Sequence, residues 1–377
     1  MKKISIFGST GCVGKKALNL AILNNFEVVA ISGNNNHEEV INQARLCNPK
    51  YVCMTNNDSY NIVKSELSSL DIEVLDGSAL DDIAKIDIDI SVMAIAGNAA
   101  LSPTFSCLGH AKRLAIATKE AIISGGSFLM NEASKKGTSI IPIDSEHNAI
   151  FQCIENENKY DINKIILTAS GGPFLDLSEN ELDMVTSKEA LKHPNWIMGK
   201  KITIDSATLI NKALEMIEAA YLFDMNIEKI EPLIHPESII HGMVFFNDGS
   251  FKASISSPDM NLPISYSLNY PIRKPCFMKS LDFTDIAALT FKQPKSWQKR
   301  NMDLAYLAFS EKKVIAFNIA NEIAVKSFLQ DEIKFSDIYR FVLDIMNTSE
   351  KEEINSVGDI FELISQVCGN QITRSSF

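Results

Sequence analysis

The feature that most constrains the fold is a strand, a glycine-rich turn and a helix at the start of the chain. An apolar run at 3–7 leads into Gly8, Gly11 and Gly14, a helical pattern follows at 17–22, and a second apolar strand lies at 27–31. This order predicts a βαβ unit whose helix N-terminus binds a dinucleotide pyrophosphate. The spacing G-x-x-G-x-x-G departs from the commoner G-x-G-x-x-G, so a tight turn without a ligand is the alternative.

The same alternation continues through the first third of the chain. Further short apolar strands are predicted at 51–54, 73–75, 90–95 and 113–117, with helical segments between them. Strands alternating with helices indicate an α/β fold, here a Rossmann-like, doubly wound parallel sheet that ends near Ile143.

Beyond residue 151 the pattern changes. Strands are predicted at 164–168, 201–204, 242–246 and 250–255, the last two flanking the hairpin turn Asn247-Asp248-Gly249. From residue 303 onward the apolar spacing is helical. We therefore expect a nucleotide-binding domain at 1–144, a central α+β catalytic domain at 145–270 with a flexible flap near 186–200, a connector at 271–297 and a C-terminal helical bundle at 298–377.

Two carboxylates follow the last strand of the predicted parallel sheet. Asp144 and Glu146 are two residues apart, so in an extended chain they would project together from the strand end. Two adjacent carboxylates need a proton or a cation, and oxygen ligands suit Mg²⁺ or Mn²⁺. The alternative is an ordinary acidic helix start capped by Ser145. Lys119, after the preceding strand, would face the same crevice or be a solvated surface lysine.

A second polar group lies on a predicted helix that begins near Asp205. Asn211, Lys212 and Glu215 share one face at helical spacing, while apolar residues surround most of the rest, so the helix is expected to be buried. Glu215 would supply a third metal carboxylate, and Lys212 with Asn211 could hold a phosphate. The alternative is an exposed Lys–Glu pair.

Candidate phosphate donors are Ser170, with its two following glycines, and Ser206 at the start of this helix. Between them, the polar flap contains His193 and Trp196. Trp196 is expected to close over a ligand, or else to anchor the loop in a satellite core. His193 is either a phosphate donor or a plain loop residue.

Composition narrows the class of protein. The net charge of −11, without a basic run, argues against nucleic-acid binding and means that local donors must meet an anionic substrate. Seven cysteines without a Cys-x-x-Cys pair exclude a complete disulfide framework and suggest a reducing compartment. The stretch 90–109 is too interrupted for a membrane span, and we expect no leader before the first strand. A cytoplasmic protein is expected.

An ordered set of motifs resembles the 1-deoxy-D-xylulose 5-phosphate reductoisomerase family nearly end to end. The motifs are Gly8-Ser9-Thr10-Gly11 with Gly14, Lys119-Glu120, Pro142 to Gln152, Ser170 to Phe174, His193-Pro194-Asn195-Trp196 with Met198-Gly199, Asp205 to Thr208 with Asn211-Lys212 and Glu215, and Ile234-His235-Pro236.

The resemblance implies an enzyme that converts a phosphorylated ketose, 1-deoxy-D-xylulose 5-phosphate, into 2-C-methyl-D-erythritol 4-phosphate in the non-mevalonate isoprenoid pathway. Isomerisation at a divalent metal, Mn²⁺ or Mg²⁺, would precede reduction by NADPH. A homodimer with contacts through the central domain is also implied. Two rival functions are a metal-independent dehydrogenase and a non-enzymatic dinucleotide sensor.

The resemblance also assigns residues to roles. The metal and catalytic set is Asp144, Glu146 and Glu215, with Lys119. The substrate set is Lys119, Ser145, Glu146, Ser170, His193, Trp196, Ser206, Asn211, Lys212 and Glu215. The cofactor set is Gly8, Thr10, Gly11, Cys12, Val13, Gly33, Asn34, Asn35, Thr118, Glu120, Gly199 and Met260.

Three cofactor positions depart from the family pattern. Cys12 stands where serine is usual, Thr118 where asparagine is usual, and Asn34 where a basic residue is frequent. The strand at 27–31 ends without an acid, which favours NADPH over NADH. Asn34 offers only neutral hydrogen bonds, so the preference is expected to be modest. Glu215→Gln is expected to lose activity and keep the fold, because it removes one of three like charges.

Overall fold

The computed structural model describes residues 1–193 and 199–372. Contacts within the chain form two compact units, and each is described by itself. The first comprises Met1–Ala121, Leu129–Asn148 and Asp259–Lys279, and the second comprises the described parts of Ile122–Phe128, Ala149–Pro258 and Ser280–Phe377. The division predicted from composition, with boundaries at 144, 270 and 297, remains a prediction about functional domains.

The strands form two sheets, one in each unit. They are β1 (Lys3–Phe7), β2 (Glu27–Gly33), β3 (Tyr51–Met54), β4 (Glu73–Asp76), β5 (Ile88–Met93), β6 (Ala111–Ile116), β7 (Ser139–Pro142), β8 (Ile162–Ala169), β9 (Ile230–Ile234), β10 (Ile240–Phe246) and β11 (Phe251–Ile255).

The α-helices lie between the strands and then fill the C-terminal part of the chain. They are α1 (Cys12–Leu23), α2 (His37–Cys47), α3 (Asn57–Glu66), α4 (Leu80–Ala84), α5 (Leu101–Ser106), α6 (Lys119–Lys136), α7 (Ser145–Ile154), α8 (Ser187–Ala190), α9 (Lys200–Thr208), α10 (Ile210–Leu222), α11 (Asn261–Asn269), α12 (Ser296–Ser310), α13 (Val314–Leu329), α14 (Asp337–Thr348) and α15 (Val357–Ile372).

The first unit is built on a seven-stranded sheet in the order β4-β3-β2-β1-β5-β6-β7, with every pair parallel. Both faces are covered, so the strands are apolar runs and Ile4, Ile6 and Ile90 are almost fully buried. Strand order reverses beside β1, and ligands bind such sheets beyond the carboxyl ends of the strands at that point. The predicted Rossmann-like, doubly wound sheet is confirmed.

A late segment of the chain completes this first unit. Helix α11 returns to the sheet, where Ile264 and Leu268 join its hydrophobic core. Arg113 on β6 donates to the carbonyls of Ser267, Leu268 and Tyr270, at 3.1, 3.0 and 2.7 Å. These bonds satisfy the C-terminal carbonyls of α11, which would otherwise have no partners within the helix.

The second unit contains a four-stranded sheet in the order β11-β10-β8-β9. Strand β10 is antiparallel to β8 and β11, and β8 is parallel to β9. The predicted hairpin around Asn247-Asp248-Gly249 is therefore correct, and Gly249 has the left-handed φ of 87° that such a turn requires. Helices α12 to α15 confirm the predicted C-terminal helical region. No helix among residues 1–193 and 199–372 is long and apolar enough to cross a membrane.

The strand predicted at 201–204 is wrong, because these residues lie in helix α9. Lys-Ile-Thr-Ile alternates like a strand, but the i,i+4 pair of Lys201 with Asp205 and the bond from Thr203 Oγ1 to the Gly199 carbonyl favour a helix. The single helix expected from Asp205 onward is also wrong. Leu209, with φ of 61°, separates α9 from α10.

Candidate active site

The turn after β1 brings the backbone into close packing. A Cβ on Gly8 would lie 2.5 Å from the Ala94 carbonyl oxygen, and one on Gly14 would lie 2.2 Å from the Gly8 carbonyl oxygen. Helix α1 begins at Cys12 without a side-chain cap and without an acid in its first turn. Its N-terminal N–H groups and positive dipole end therefore fit the pyrophosphate of a dinucleotide.

The end of β2 lies beside this turn. Ser32 accepts a hydrogen bond from the Gly8 N–H at 3.0 Å, and Asn36 caps α2 by accepting one from the Glu39 N–H at 3.2 Å. Asn34 and Asn35 are exposed. Asn36 is exposed too, but its side chain is engaged as the cap of α2, so Asn34 and Asn35 are the exposed asparagines here that could meet a ribose or its 2′-phosphate.

The other predicted cofactor residues differ in how their side chains are used. Thr118 is buried and its hydroxyl donates to the Ile95 carbonyl at 2.6 Å, so that donor is already engaged. Met260 packs against the core of the first unit. The rest have these places: Thr10 and Gly11 lie in the β1–α1 turn, Cys12 and Val13 in the first turn of α1, Gly33 at the end of β2, Glu120 in the first turn of α6, and Gly199 before α9.

Lys119 and Asp144 form an ion pair at neighbouring strand ends of the first unit. His147 lies on the other side of the carboxylate, with Nδ1 3.3 Å from Asp144 Oδ1. Burial acts to raise the pKa of Asp144, but the Lys119 ammonium and the hydrogen bond with His147 outweigh it and hold that pKa well below its usual range. Asp144 is therefore ionised near neutral pH.

Glu146 accompanies Asp144, but by a different geometry from the predicted one. Strand β7 ends at Pro142 and α7 begins at Ser145, so Glu146 lies in a helical first turn rather than on an extended chain. Asp144 caps this turn by accepting from the Glu146 N–H at 3.3 Å. One carboxylate oxygen of each residue still lies within 4.8 Å of the other. The acidic helix start, which was the alternative prediction, and the predicted carboxylate pair are therefore formed by the same residues.

In the second unit, Asn211, Lys212 and Glu215 lie on one face of α10. Both Asn211 and Lys212 donate to the Glu215 carboxylate, and Lys212 and Glu215 are almost fully buried. The exposed Lys–Glu pair considered as an alternative is excluded by this burial. The Asn211 Oδ1 atom is buried without a hydrogen-bond partner among the described residues, so it is an acceptor available to a ligand.

Ser170, His193 and Ser206 also meet in the second unit. His193 Nε2 lies 3.2 Å from Ser170 Oγ and 3.1 Å from Ser206 Oγ. The turn after Ser170 approaches α9 closely, because a Cβ on Gly172 would lie 2.8 Å from the Ser206 carbonyl oxygen. Burial lowers the pKa of His193. Two hydroxyls and an imidazole make a compact donor set for an anion. Trp196 lies outside the described residues.

Sequence reasoning missed two buried residues that lie beside predicted site residues, one in each unit. His147 contacts Asp144 from three positions along the chain, and that spacing at a helix start was a signal that could have found it. Asp205 is buried beside Ser206, where it receives hydrogen bonds from Lys201 at 2.9 Å and from Asn321 at 2.7 Å. No local pattern links Asn321 to Asp205.

Comparisons by sequence agree along the whole chain. Models described as 1-deoxy-D-xylulose 5-phosphate reductoisomerase, its C-terminal domain, and DXP reductoisomerase C-terminal domain match residues 4–126, 140–223 and 255–368. A 1-deoxy-D-xylulose 5-phosphate reductoisomerase from Wolbachia pipientis subsp. Culex pipiens is 41% identical, covering 100% of this chain and 98% of the relative. One from Sulfurihydrogenibium sp. is 44% identical, covering 97% and 96%.

Comparisons by structure point the same way. The chain is similar to the 1-deoxy-D-xylulose 5-phosphate reductoisomerase of Zymomonas mobilis in complex with NADPH, with a TM-score of 0.92 and 36% identity over 97% of each chain. It is also similar to a DOX-P reductoisomerase in complex with NADPH, fosmidomycin and magnesium, with a TM-score of 0.91 and 35% identity over 97% of this chain and 96% of that one.

Proposed function

The chain belongs to the 1-deoxy-D-xylulose 5-phosphate reductoisomerase family, and we propose that Asp144, Glu146 and Glu215 hold the divalent metal of its reaction. That reaction is the NADPH- and metal-dependent isomerisation and reduction of 1-deoxy-D-xylulose 5-phosphate to 2-C-methyl-D-erythritol 4-phosphate. The observation that carries the metal assignment is the pair of carboxylates at the end of β7, one of them already neutralised by a lysine ammonium.

The donor chemistry supports this choice. Carboxylate oxygens are the ligands that Mg²⁺ and Mn²⁺ prefer, and a similar protein is described in complex with magnesium. Asp144 is held in its ionised, ligand-ready form by Lys119 and His147. Glu215 is a buried carboxylate that accepts hydrogen bonds from Lys212 and Asn211, and its oxygens are of the ligand type that these ions prefer.

The bound metal would supply Lewis-acid polarisation of the substrate carbonyl. The chain's own residues would then orient the substrate and balance its charge. His147 contacts the Asp144 carboxylate and would help to orient it, and Lys119, which pairs with Asp144, would donate to a substrate oxygen. Ser145, which donates to the Glu146 carboxylate at 2.5 Å, would lie beside the sugar backbone.

The substrate phosphate is assigned to the donors of the second unit. Ser170, Ser206 and His193 form one compact set, and the second set is Lys212 with Asn211. All are hydroxyl, imidazole, amide or ammonium donors, and a net charge of −11 makes such a local cluster necessary for a phosphorylated substrate. The role assigned to Trp196 over the substrate remains a prediction from the sequence.

NADPH is assigned to the β1–α1 turn and to the end of β2. The uncapped N-terminus of α1 suits the pyrophosphate, while Gly33, Asn34 and Asn35 suit the adenosine ribose. Thr118, Glu120, Met260 and Gly199 complete the proposed set. Because the Thr118 hydroxyl already donates to a carbonyl, its contribution would come from its backbone or its methyl group.

The test is oxidation of NADPH with 1-deoxy-D-xylulose 5-phosphate, after chelation and after Mn²⁺ or Mg²⁺ is restored. We expect no turnover in the chelated native enzyme and recovery of turnover when metal is restored. Glu146→Gln should show no such recovery. Glu157→Gln is the matched control, because Glu157 is an acid that pairs with Lys252 and is not among the proposed metal ligands. Turnover indifferent to metal would favour a plain dehydrogenase. Binding of NADPH without any turnover would favour a dinucleotide sensor.

We also propose that the enzyme is a homodimer that pairs through the second unit. Strand β11 is the edge strand of its sheet, and Phe251 and Ile255 are exposed on it. Unpaired sheet edges with exposed apolar side chains favour association. Light scattering should give twice the chain mass for the native protein and a lower mass for Phe251→Lys; an unchanged mass in that variant would reject β11 as the interface.

The compartment proposed is the cytoplasm. Its support is that all seven cysteines are unpaired thiols, with Cys53 and Cys107 buried. Free buried thiols are typical of proteins in reducing compartments. Equal activity in reducing and oxidising buffer would remove this support.

A further inference from the structure

The groups assigned to the substrate phosphate converge on the junction between α9 and α10. Ser206 lies near the end of α9, and Asn211 and Lys212 lie in the first turn of α10. Between them, Leu209 has a left-handed φ of 61°, a conformation that is unfavourable for a branched side chain. Such a junction holds its shape only when surrounding residues fix it.

Two buried asparagines from the C-terminal helices bind this junction. Asn301 on α12 donates to the Thr208 carbonyl at 2.8 Å, and Asn321 on α13 donates to Asp205 Oδ1 at 2.7 Å. The two residues are 5% and 0% exposed. Next to the first bond, Met302 of α12 packs with Leu209 in one apolar cluster.

The bond to Asp205 has an electrostatic consequence. Asp205 precedes Ser206, so its carboxylate would repel a phosphate held by Ser206 if it were free to turn. Lys201 holds one carboxylate oxygen at 2.9 Å and Asn321 holds the other. Consecutive residues on a helix point in fixed, different directions, so fixing Asp205 also fixes Ser206.

We propose that Asn301 and Asn321 are positioning residues for the substrate phosphate, acting through Thr208 and Asp205. The proposal rests on the assignment of the phosphate to Ser206, Asn211 and Lys212. Neither asparagine touches the ligand. Each holds the junction so that these three donors face one anion.

Asn318 provides a matched control on the same helix. It is 0% exposed, and neither its amide nitrogen nor its oxygen has a hydrogen-bond partner among the described residues. In each of the three variants, leucine removes the side-chain amide and keeps a side chain of similar volume. Only the changes at Asn301 and Asn321 leave a junction acceptor without its donor.

The experiment is steady-state kinetics of Asn301→Leu, Asn321→Leu and Asn318→Leu with both substrates varied. We expect the KM for 1-deoxy-D-xylulose 5-phosphate to rise roughly tenfold in the first two, about the effect of one misplaced hydrogen bond. Their KM for NADPH should be unchanged, and Asn318→Leu should change neither constant. Alanine variants, whose smaller side chains leave room for water, serve where a leucine variant fails to fold.

Ser206→Ala tests the phosphate assignment separately from the positioning role of the asparagines. If it raises the KM for the ketose phosphate and the asparagine variants do not, the positioning role is rejected and the phosphate site stands. If Ser206→Ala leaves that KM unchanged, the phosphate assignment itself is wrong. Equal increases in the KM of both substrates in Asn321→Leu would indicate a general structural defect, and would also overturn the proposal.

Discussion

Glu215→Gln is the change that most directly tests how the site is built. Counting charges in the sequence predicts a stable variant, because one of three like charges is removed. The structure predicts instead that the variant is less stable than the native protein when no metal is bound. Lys212 is 2% exposed and donates to the Glu215 carboxylate, so glutamine removes a negative charge that stabilises a buried ammonium.

The size of the loss follows from what glutamine keeps. Removal of one partner from a buried ion pair costs about 3–5 kcal/mol. The glutamine carbonyl still accepts from Asn211 or Lys212, which retains about 1–2 kcal/mol of that. We therefore expect a net destabilisation of about 2 kcal/mol, or a few degrees in Tm.

Metal should then separate the variant from the native enzyme. A ligand at 100 times its Kd stabilises a protein by about 2.7 kcal/mol. Thermal melting with and without Mn²⁺ should show this increase in the native enzyme and not in Glu215→Gln. Glu218→Gln is the control, since Glu218 is 1% exposed on the same helix and should leave the metal-dependent shift intact.

Two results would refute this reasoning. A chelated Glu215→Gln protein that melts at or above the native temperature would show that Lys212 does not depend on Glu215. A variant that keeps the full metal-dependent shift would remove Glu215 from the metal site. The double variant Lys212→Met, Glu215→Gln should recover most of the lost stability, because no buried ammonium remains.

Three further changes test other parts of the structure. Asn34→Arg should widen the preference for NADPH over NADH, which we expect to be on the order of ten- to a hundredfold in the native enzyme, and Asn34→Asp should narrow it; equal kcat/KM with both cofactors in the native enzyme would contradict the assignment of Asn34. Gly14→Ala should raise the KM for NADPH, because the new Cβ would lie 2.2 Å from the Gly8 carbonyl oxygen; an unchanged KM would mean that the turn adjusts freely. Burial raises the pKa of Glu352 to about 7, although the Ile315 and Ala316 N–H groups that it accepts from act to lower it. A raised pKa in the folded state stabilises the protein below pH 4.5, and this stabilisation is lost as the pH rises through 7, by roughly 3 kcal/mol. Denaturant titrations at pH 5 and 8 should show that loss of unfolding free energy in the native protein and a smaller loss in Glu352→Gln. An equal loss in both proteins would place the Glu352 pKa near its ordinary value.

The sequence was most informative where the signals are local. Strand, glycine turn and helix occur within 3–33, and hydrogen bonds between neighbouring strands then determine the rest of the parallel sheet. The carboxylates at 144 and 146 were also found locally, although they are close because a helix begins at Ser145 and not because the chain is extended there.

The failures came where tertiary contacts override local preference. The β-branched residues in 201–204 resemble a strand, but Ile204 and Asp205 are both buried and the segment packs as a helix. The bond between Asn321 and Asp205 joins residues 116 positions apart, and no pattern in one sequence encodes such a distance. How distant segments pack depends on interactions throughout the hydrophobic core and not on any short stretch of sequence.

The return of α11 to the first sheet has a consequence for the protein during its synthesis. The residues before 149 emerge from the ribosome without the helix that supplies Ile264 and Leu268 to their core and covers Arg113. About 110 residues separate the two segments, which at translation rates of about 5–20 residues per second is a wait of roughly 5–20 s. Throughout that interval the nascent Rossmann-like sheet exposes an apolar face, so chaperone occupancy should peak on this part of the chain and fall once residue 279 has left the exit tunnel.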